Sequence, residues 1–158
     1  MDATRRILVA TDFSECSRAA LQTAAAWAQK LGATLDVIHV WSLPGFPLPP
    51  ALAGDPRANE ALVEEPRRNA EAQLARFVES ASNAGIFVRK AHLELGDPAH
   101  VICGLAECED YEFIVVGTHG RTGLPRLILG SVAEKVVRRS ALPVLSVHAL
   151  PARPSEAA

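Results

Sequence analysis

The sequence predicts an α/β fold, an open five-stranded parallel sheet with helices on both faces. Short apolar runs alternate with segments of helical period, the pattern of successive βαβ units. The runs are continuous rather than alternating, as expected of strands covered on both sides. At 158 residues the chain has the size of one domain, assigned to residues 1–150, with a flexible C-terminal tail over 151–158.

Taken in order, Arg6 to Ala10 (RILVA) reads as a central strand bounded by the turn-former Asp12. Ser14 caps a helix whose apolar stripe is Ala20, Leu21, Ala24, Trp27, Ala28 and Leu31, and Gly32 ends it. Thr34 to Trp41 (TLDVIHVW) is a second strand, rich in β-branched residues. Ser42 to Pro56 is too dense in proline and glycine for regular structure and reads as a long surface loop. Pro66 suits the first turn of a helix running to about Asn83, with Ala70, Leu74, Phe77, Val78 and Ala81 inward and Gly85 closing it. Phe87 to Leu95 is a third strand. Asp97 and Pro98 start a helix with Val101, Ile102 and Leu105 buried. Phe113 to Val116 is a fourth strand ending at Gly117. A last helix runs from Gly130 or Ser131 to Arg139, and a last strand from Leu142 to Val147.

Composition narrows the function classes. Sixteen Lys and Arg against eighteen Asp and Glu give a net charge of -2, without the basic excess of a phosphate-backbone binder, so a nucleic-acid partner is not expected. The first apolar run is too short for a signal-peptide core, and no 18-residue apolar stretch exists. Three cysteines, Cys16, Cys103 and Cys108, are too few and odd in number for a disulfide framework. The expectation is a cytoplasmic protein that does not engage membranes.

In open parallel sheets ligands bind at the carboxyl ends of the strands, where the winding direction switches. Three such ends stand out: Asp12, the pair His39 and Val40, and Gly117. The last begins GTHGRTGLPRLILGSV, with glycines at 117, 120, 123 and 130. Glycines admit backbone N–H groups close to an anion, and the segment feeds Gly130 and Ser131 at a helix start, where unsatisfied N–H groups and the dipole favour phosphate. Arg121 adds charge. No GxxxxGK[ST] occurs, and no GxGxxG follows the first strand.

The segment Gly117, Thr118, His119, Gly120, nine residues, Gly130, Ser131 resembles the G-x2-G-x9-G-[ST] nucleotide motif of the ATP-binding universal stress proteins. The ATDFS at Ala10 to Ser14, IHV at Ile38 to Val40, LGDPA at Leu95 to Ala99 and LPVLSV at Leu142 to Val147 are similar to that family too. The resemblance implies a Rossmann-like, adenine nucleotide alpha hydrolase-like fold that binds ATP, forms a homodimer and acts in stress tolerance. Ala10, Asp12 and Val40 would line the adenosine end, with Val40 on adenine. Asp12 would meet the ribose or, through a divalent ion such as Mg2+, the phosphates, which makes it the metal candidate. Gly117, Thr118, His119, Gly120, Gly130, Ser131 and Val132 would form the phosphate cradle, with Arg121 beside it. The homodimer is expected through Leu142 to Val147, a short apolar edge strand.

Other residues read more plainly. Cys103 and Cys108 are five apart on one helix, about 140° around it at ~100° per residue, so they are poor joint metal ligands and read as packing residues. Cys16 sits in the first turn of a helix, a place that suits a redox-active thiol. His39 and His119 lie near the proposed site without an evident orienting carboxylate, and read as hydrogen-bonded or solvent-facing. The preferred function is a nucleotide-binding regulatory module. The alternative is a slow ATP hydrolase or nucleotide transferase using the same loop, which would need a positioned water and Mg2+. A scaffold without nucleotide is disfavoured by the intact motif.

Overall fold

The computed structural model describes residues 5–43, 56–118 and 130–149, and within these it describes no side chains for 56–61. Among the described residues five strands and four helices alternate: β1 (Arg6–Ala10), α1 (Glu15–Leu31), β2 (Thr34–Trp41), α2 (Pro56–Asn83), β3 (Lys90–Leu95), α3 (Pro98–Cys108), β4 (Phe113–Gly117), α4 (Ser131–Arg139) and β5 (Val144–Val147). All pairings are parallel and the strand order is β3-β2-β1-β4-β5. The winding therefore reverses between β1 and β4, and β5 is an edge.

The strand runs bury both faces. Ile7 and Val9 join Leu21, Ala24, Leu74 and Phe77 under α1 and α2, while Leu8 between them joins Ile38, Ile102, Ile114 and Val136 under α3 and α4. Successive side chains of a strand point to opposite faces, so RILVA has no polar alternation to show. The caps also follow from sequence. Ser14 Oγ accepts from Ser17 N–H, and Gly32 ends α1 at φ 62, a left-handed conformation costly for any other residue. Asp97 caps α3 by accepting from His100 N–H, with Pro98 in the first turn.

Several expectations need correction. The helix expected from Pro66 begins at Pro56, so Pro66 is interior. Both prolines compete for the first turn, and the intervening RANEALVEE, rich in strong helix formers, offsets the hydrogen bond Pro66 cannot donate. β3 starts at Lys90, not Phe87, which is 78% exposed. Lys90 already pairs with Asp36, the third residue of β2, so by the same register Phe87 lies beyond the start of that strand. β5 is shorter than expected because Pro143 has no N–H to give. Trp27 is 44% exposed, lying off the stripe of Ser17, Ala20, Leu21, Ala24 and Ala28. On α3 the buried stripe is Ala99, Ile102, Cys103 and Ala106, with Val101 and Leu105 only half-buried. Close packing against the sheet and α4 selects the small residues. Cys108 is exposed rather than packed, whereas Cys103 is buried, which pushes its thiol pKa up. The loop expected over Ser42 to Pro56 and the tail 151–158 lie largely outside the described residues. No helix among the described residues is long and apolar enough to cross a membrane.

Candidate functional site

At the β1/β4 switch the carboxyl ends of β1, β2 and β4 surround a cleft of about 180 Å³. Ala10, Thr11 and Asp12 come from β1 and the turn after it, Ile38, His39 and Val40 from β2, and Val116 and Gly117 from β4. Pro98 and Ile102 of α3 and Gly130 to Ala133 at the start of α4 close the remaining side.

Backbone direction decides what β2 presents. Thr11 N–H donates to Ile38 C=O at 2.9 Å, and Gly96 N–H donates to Trp41 C=O at 3.1 Å. Alternate residues of a parallel strand direct their backbone groups to the same side, so Ile38 faces β1 and Trp41 faces β3. Val40 faces as Ile38 does. Since β1 ends at Ala10, the partner of Ile38, the N–H and C=O of Val40 look past that end into the cleft. Across from them, Gly130 and Ser131 begin α4, whose first-turn N–H groups have no intrahelical acceptor.

The turn after β1 is held rigidly. Phe13 adopts φ 67, an uncommon conformation for a non-glycine residue. Its N–H donates to Thr11 Oγ1 at 3.0 Å, Thr11 Oγ1 donates to Ser17 Oγ at 3.0 Å, and Ser17 Oγ donates to Ser14 C=O at 2.9 Å. Asp12 Oδ1 accepts from Ser14 N–H at 3.0 Å, which fixes the carboxylate at the cleft rim. His39 Nδ1 is 2.8 Å from Thr11 C=O, an acceptor, so Nδ1 carries the proton. Its ring packs against Phe13 at a tilt of 37°, with the ring centroids 4.2 Å apart. His39 is thus hydrogen-bonded, as its sequence context suggested.

Gly117 has a reason of its own to be glycine. A Cβ there would stand 2.8 Å from Cys16 C, 2.9 Å from Cys16 O and 2.9 Å from Ser17 N. These are backbone atoms of α1, so its first turn reaches the cleft only because β4 ends without a side chain. Gly130, at φ -57 and ψ 146, is in an ordinary extended conformation.

Of the residues expected at the site, the structure brings together Ala10, Asp12, Val40, Gly117, Gly130, Ser131 and Val132. Thr118 does not line the cleft. It is fully buried, and its hydroxyl engages Val147 C=O and His148. His119, Gly120 and Arg121 lie outside the described residues. Sequence reading missed Thr11, Ser17, Ile38, Pro98 and Ile102, and the cleft-lining Val116 and Ala133 as well. The ATDFSECS spacing holds a signal for the first two, since hydroxyls at 11, 14 and 17 recur every three residues.

The sequence matches the universal stress protein family over residues 3–148. The chain belongs to that family. A relative from Thermus aquaticus, the universal stress protein in QAH/OAS sulfhydrylase 3'region, is 37% identical over 91% of this chain and 98% of its own. Among solved structures, MJ0577 of Methanocaldococcus jannaschii superposes with a TM-score of 0.74 at 26% identity, covering 93% of this chain and 97% of that one. A universal stress protein in complex with cAMP superposes with a TM-score of 0.67 at 27% identity, over 92% and 98% of the two chains. The Rossmann-like arrangement is therefore the family's own.

A second polar cluster lies at the opposite, amino end of the sheet. Asp36, wholly buried, pairs through Oδ2 with Arg89 and accepts from Tyr111 Oη at 2.6 Å. His92 Nε2 is 3.1 Å from that same hydroxyl. Burial pushes the His92 pKa down, reinforced by Lys90, and pushes Tyr111 well above its ordinary value, reinforced by Asp36. Asp36, His92 and Glu109 come within 4.8 Å of one another, a spacing that could hold a metal ion. Arg6 and Lys90 on Glu109, with Arg89 on Asp36, already supply three cations to two carboxylates. A divalent ion would add to an existing positive excess, so the cluster reads as a structural network.

Proposed function

We propose that the cleft binds an adenine nucleotide, ATP in the first instance, and that occupancy makes the protein a regulatory module rather than a dedicated catalyst. The carrying observation is that Val40, whose backbone groups point past the end of β1 and bond to no loop or turn group among the described residues, shares the cleft with the start of α4. The first offers a donor and an acceptor to a planar base, and the second offers N–H groups and a positive dipole end to phosphate. Ala10 and Val40 hold the adenine end, and Asp12 meets the ribose or a Mg2+ on the phosphates. Such a Mg2+ is held by one or two protein carboxylates together with the phosphates, and Asp12, which lines the cleft, would supply one. Gly117, Gly130, Ser131 and Val132 cradle the phosphates, joined in this reading by His119, Gly120 and Arg121. The complex of a family member with cAMP supports an adenine nucleotide as the ligand class. A second copy pairs along β5, the apolar sheet edge. Mass spectrometry of small molecules released from freshly purified protein tests the ligand. An adenine nucleotide near one per chain is expected. Absence of any, together with no calorimetric heat on adding ATP, AMP or cAMP, would remove the reading.

A further inference from the structure

Thr118 is 0% exposed and touches three parts of the fold at once. Its N–H donates to Val147 C=O at 2.9 Å, extending the β4–β5 ladder by one residue. Its hydroxyl lies 3.3 Å from the same carbonyl and 2.7 Å from His148 Nδ1, directly after β5. Its own C=O accepts from Gly130 N–H at 2.6 Å, which fixes where α4 begins. One residue therefore ties the end of the edge strand to the helix start that lines the cleft.

We infer that Thr118 is a positioning residue that couples nucleotide occupancy of the cleft to the order of the β5 edge. This rests on the nucleotide reading given above and adds a regulatory path to it. The cleft-lining Gly130 and the edge-forming Val147 each bond to Thr118, so a shift in either reaches the other through it. β5 has one neighbouring strand, and beyond Val147 the contact of His148 with the Thr118 hydroxyl extends its hold on the sheet. Coupling is reciprocal: a clasp that favours the bound cleft is itself favoured by the ligand. Pinning α4 through the clasp strengthens binding, and binding in turn protects the strand along which a second copy would pair.

The hydrogen-bond directions also say where to look. Ile114 N–H donates to Pro143 C=O and Thr118 N–H to Val147 C=O, so alternation turns Leu145 and Val147 toward β4 and leaves Val144 and Ser146 on the free edge. Hydrogen exchange at the Leu145 and Val147 amides thus reports the clasp. The experiment compares the full chain with Thr118→Val, which keeps the volume and removes the hydroxyl, and with Thr118→Ser, which restores it. ATP with Mg2+ is the probe, read by calorimetry and by amide exchange. In the parent, ATP slows exchange at Leu145 and Val147. In Thr118→Val the ATP dissociation constant rises about 3- to 10-fold, the worth of one net hydrogen bond, and the slowing at β5 disappears. Thr118→Ser recovers both. Should Thr118→Val fail to fold, His148→Leu removes the same bond from outside the core and should reproduce the lost protection. Parent-like affinity and parent-like protection in folded Thr118→Val or His148→Leu overturn the coupling while leaving the nucleotide reading intact. No ATP binding by the parent overturns both.

Discussion

Gly117→Ala is the most informative single methyl that can be added to this protein. The new Cβ would fall 2.8 to 2.9 Å from Cys16 C, Cys16 O and Ser17 N. Real Cβ contacts of that length are essentially never seen, and none of the three atoms belongs to a side chain that could swing aside. Either β4 retreats or the first turn of α1 moves, and α1 is held there by the bonds linking Thr11, Ser14 and Ser17. Overpacking a core by one group costs about 1 to 3 kcal/mol, and backbone obstacles place this site in the upper half of that range. At ~2 to 3 kcal/mol, a domain of this size should melt about 4 to 12 °C lower. The displaced α1 turn carries Ser17, which lines the cleft together with Asp12, so nucleotide affinity should fall with stability. Differential scanning calorimetry without ligand measures the first effect and titration the second. A ligand-free melting temperature within about 1 °C of the parent would refute the packing argument and leave phosphate approach as the reason for glycine.

Gly104 provides the opposite case. It is mid-helix in α3 with nothing within 4 Å of where an added methyl would stand, so Gly104→Ala should stabilise by about 0.5 to 1 kcal/mol in urea unfolding. His92 is held neutral because burial lowers its pKa below the ordinary 6.5. The unfolded state then binds the proton more readily, so its contribution is present above about pH 6.5 and is lost as pH falls. Urea midpoints should decline from pH 7 to 5.5 more steeply in the parent than in His92→Gln, and parallel declines would contradict this. The free-edge N–H of Ser146 makes Ser146→Pro a way to block pairing without cutting the β4 ladder. Sedimentation should show monomer with parent-like circular dichroism, whereas an unchanged dimer mass would place the interface elsewhere.

What was legible in the sequence was whatever depends on near neighbours. The runs RILVA and FIVV are strands, Ser14 and Asp97 are caps, and Gly32 is left-handed, as local chemistry requires. The cleft's location followed from topology, because five alternating strands put a switch point beside Asp12 and Gly117. What was not legible depends on distant partners. Asp36 sits inside an apolar strand with no local sign that Tyr111 and Arg89, 75 and 53 residues away, make its burial tolerable. Ala99 and Ala106 share the buried face of α3 with Ile102 and Cys103, and a search for large apolar side chains passes over the two alanines. Two prolines ten residues apart both fit a helix start, and only the fold chooses Pro56. Gly117 was found as part of a phosphate motif, yet the requirement the structure gives it comes from α1.

Gly130→Asp tests most directly whether the start of α4 receives the ligand's phosphate, on which the nucleotide reading depends. At φ -57 and ψ 146 the backbone angles suit an L-residue, and aspartate is a favoured residue at a helix N-cap. The ligand-free protein should therefore melt at or slightly above the parent temperature, while the carboxylate occupies the place and carries the sign of the phosphate. With ATP and Mg2+ at ~100 times the dissociation constant, the parent should gain about 2.7 kcal/mol, a rise of roughly 5 to 11 °C. The variant should lose most of that rise. If parent and Gly130→Asp rise equally with ATP, or neither rises, the start of α4 does not hold a nucleotide phosphate.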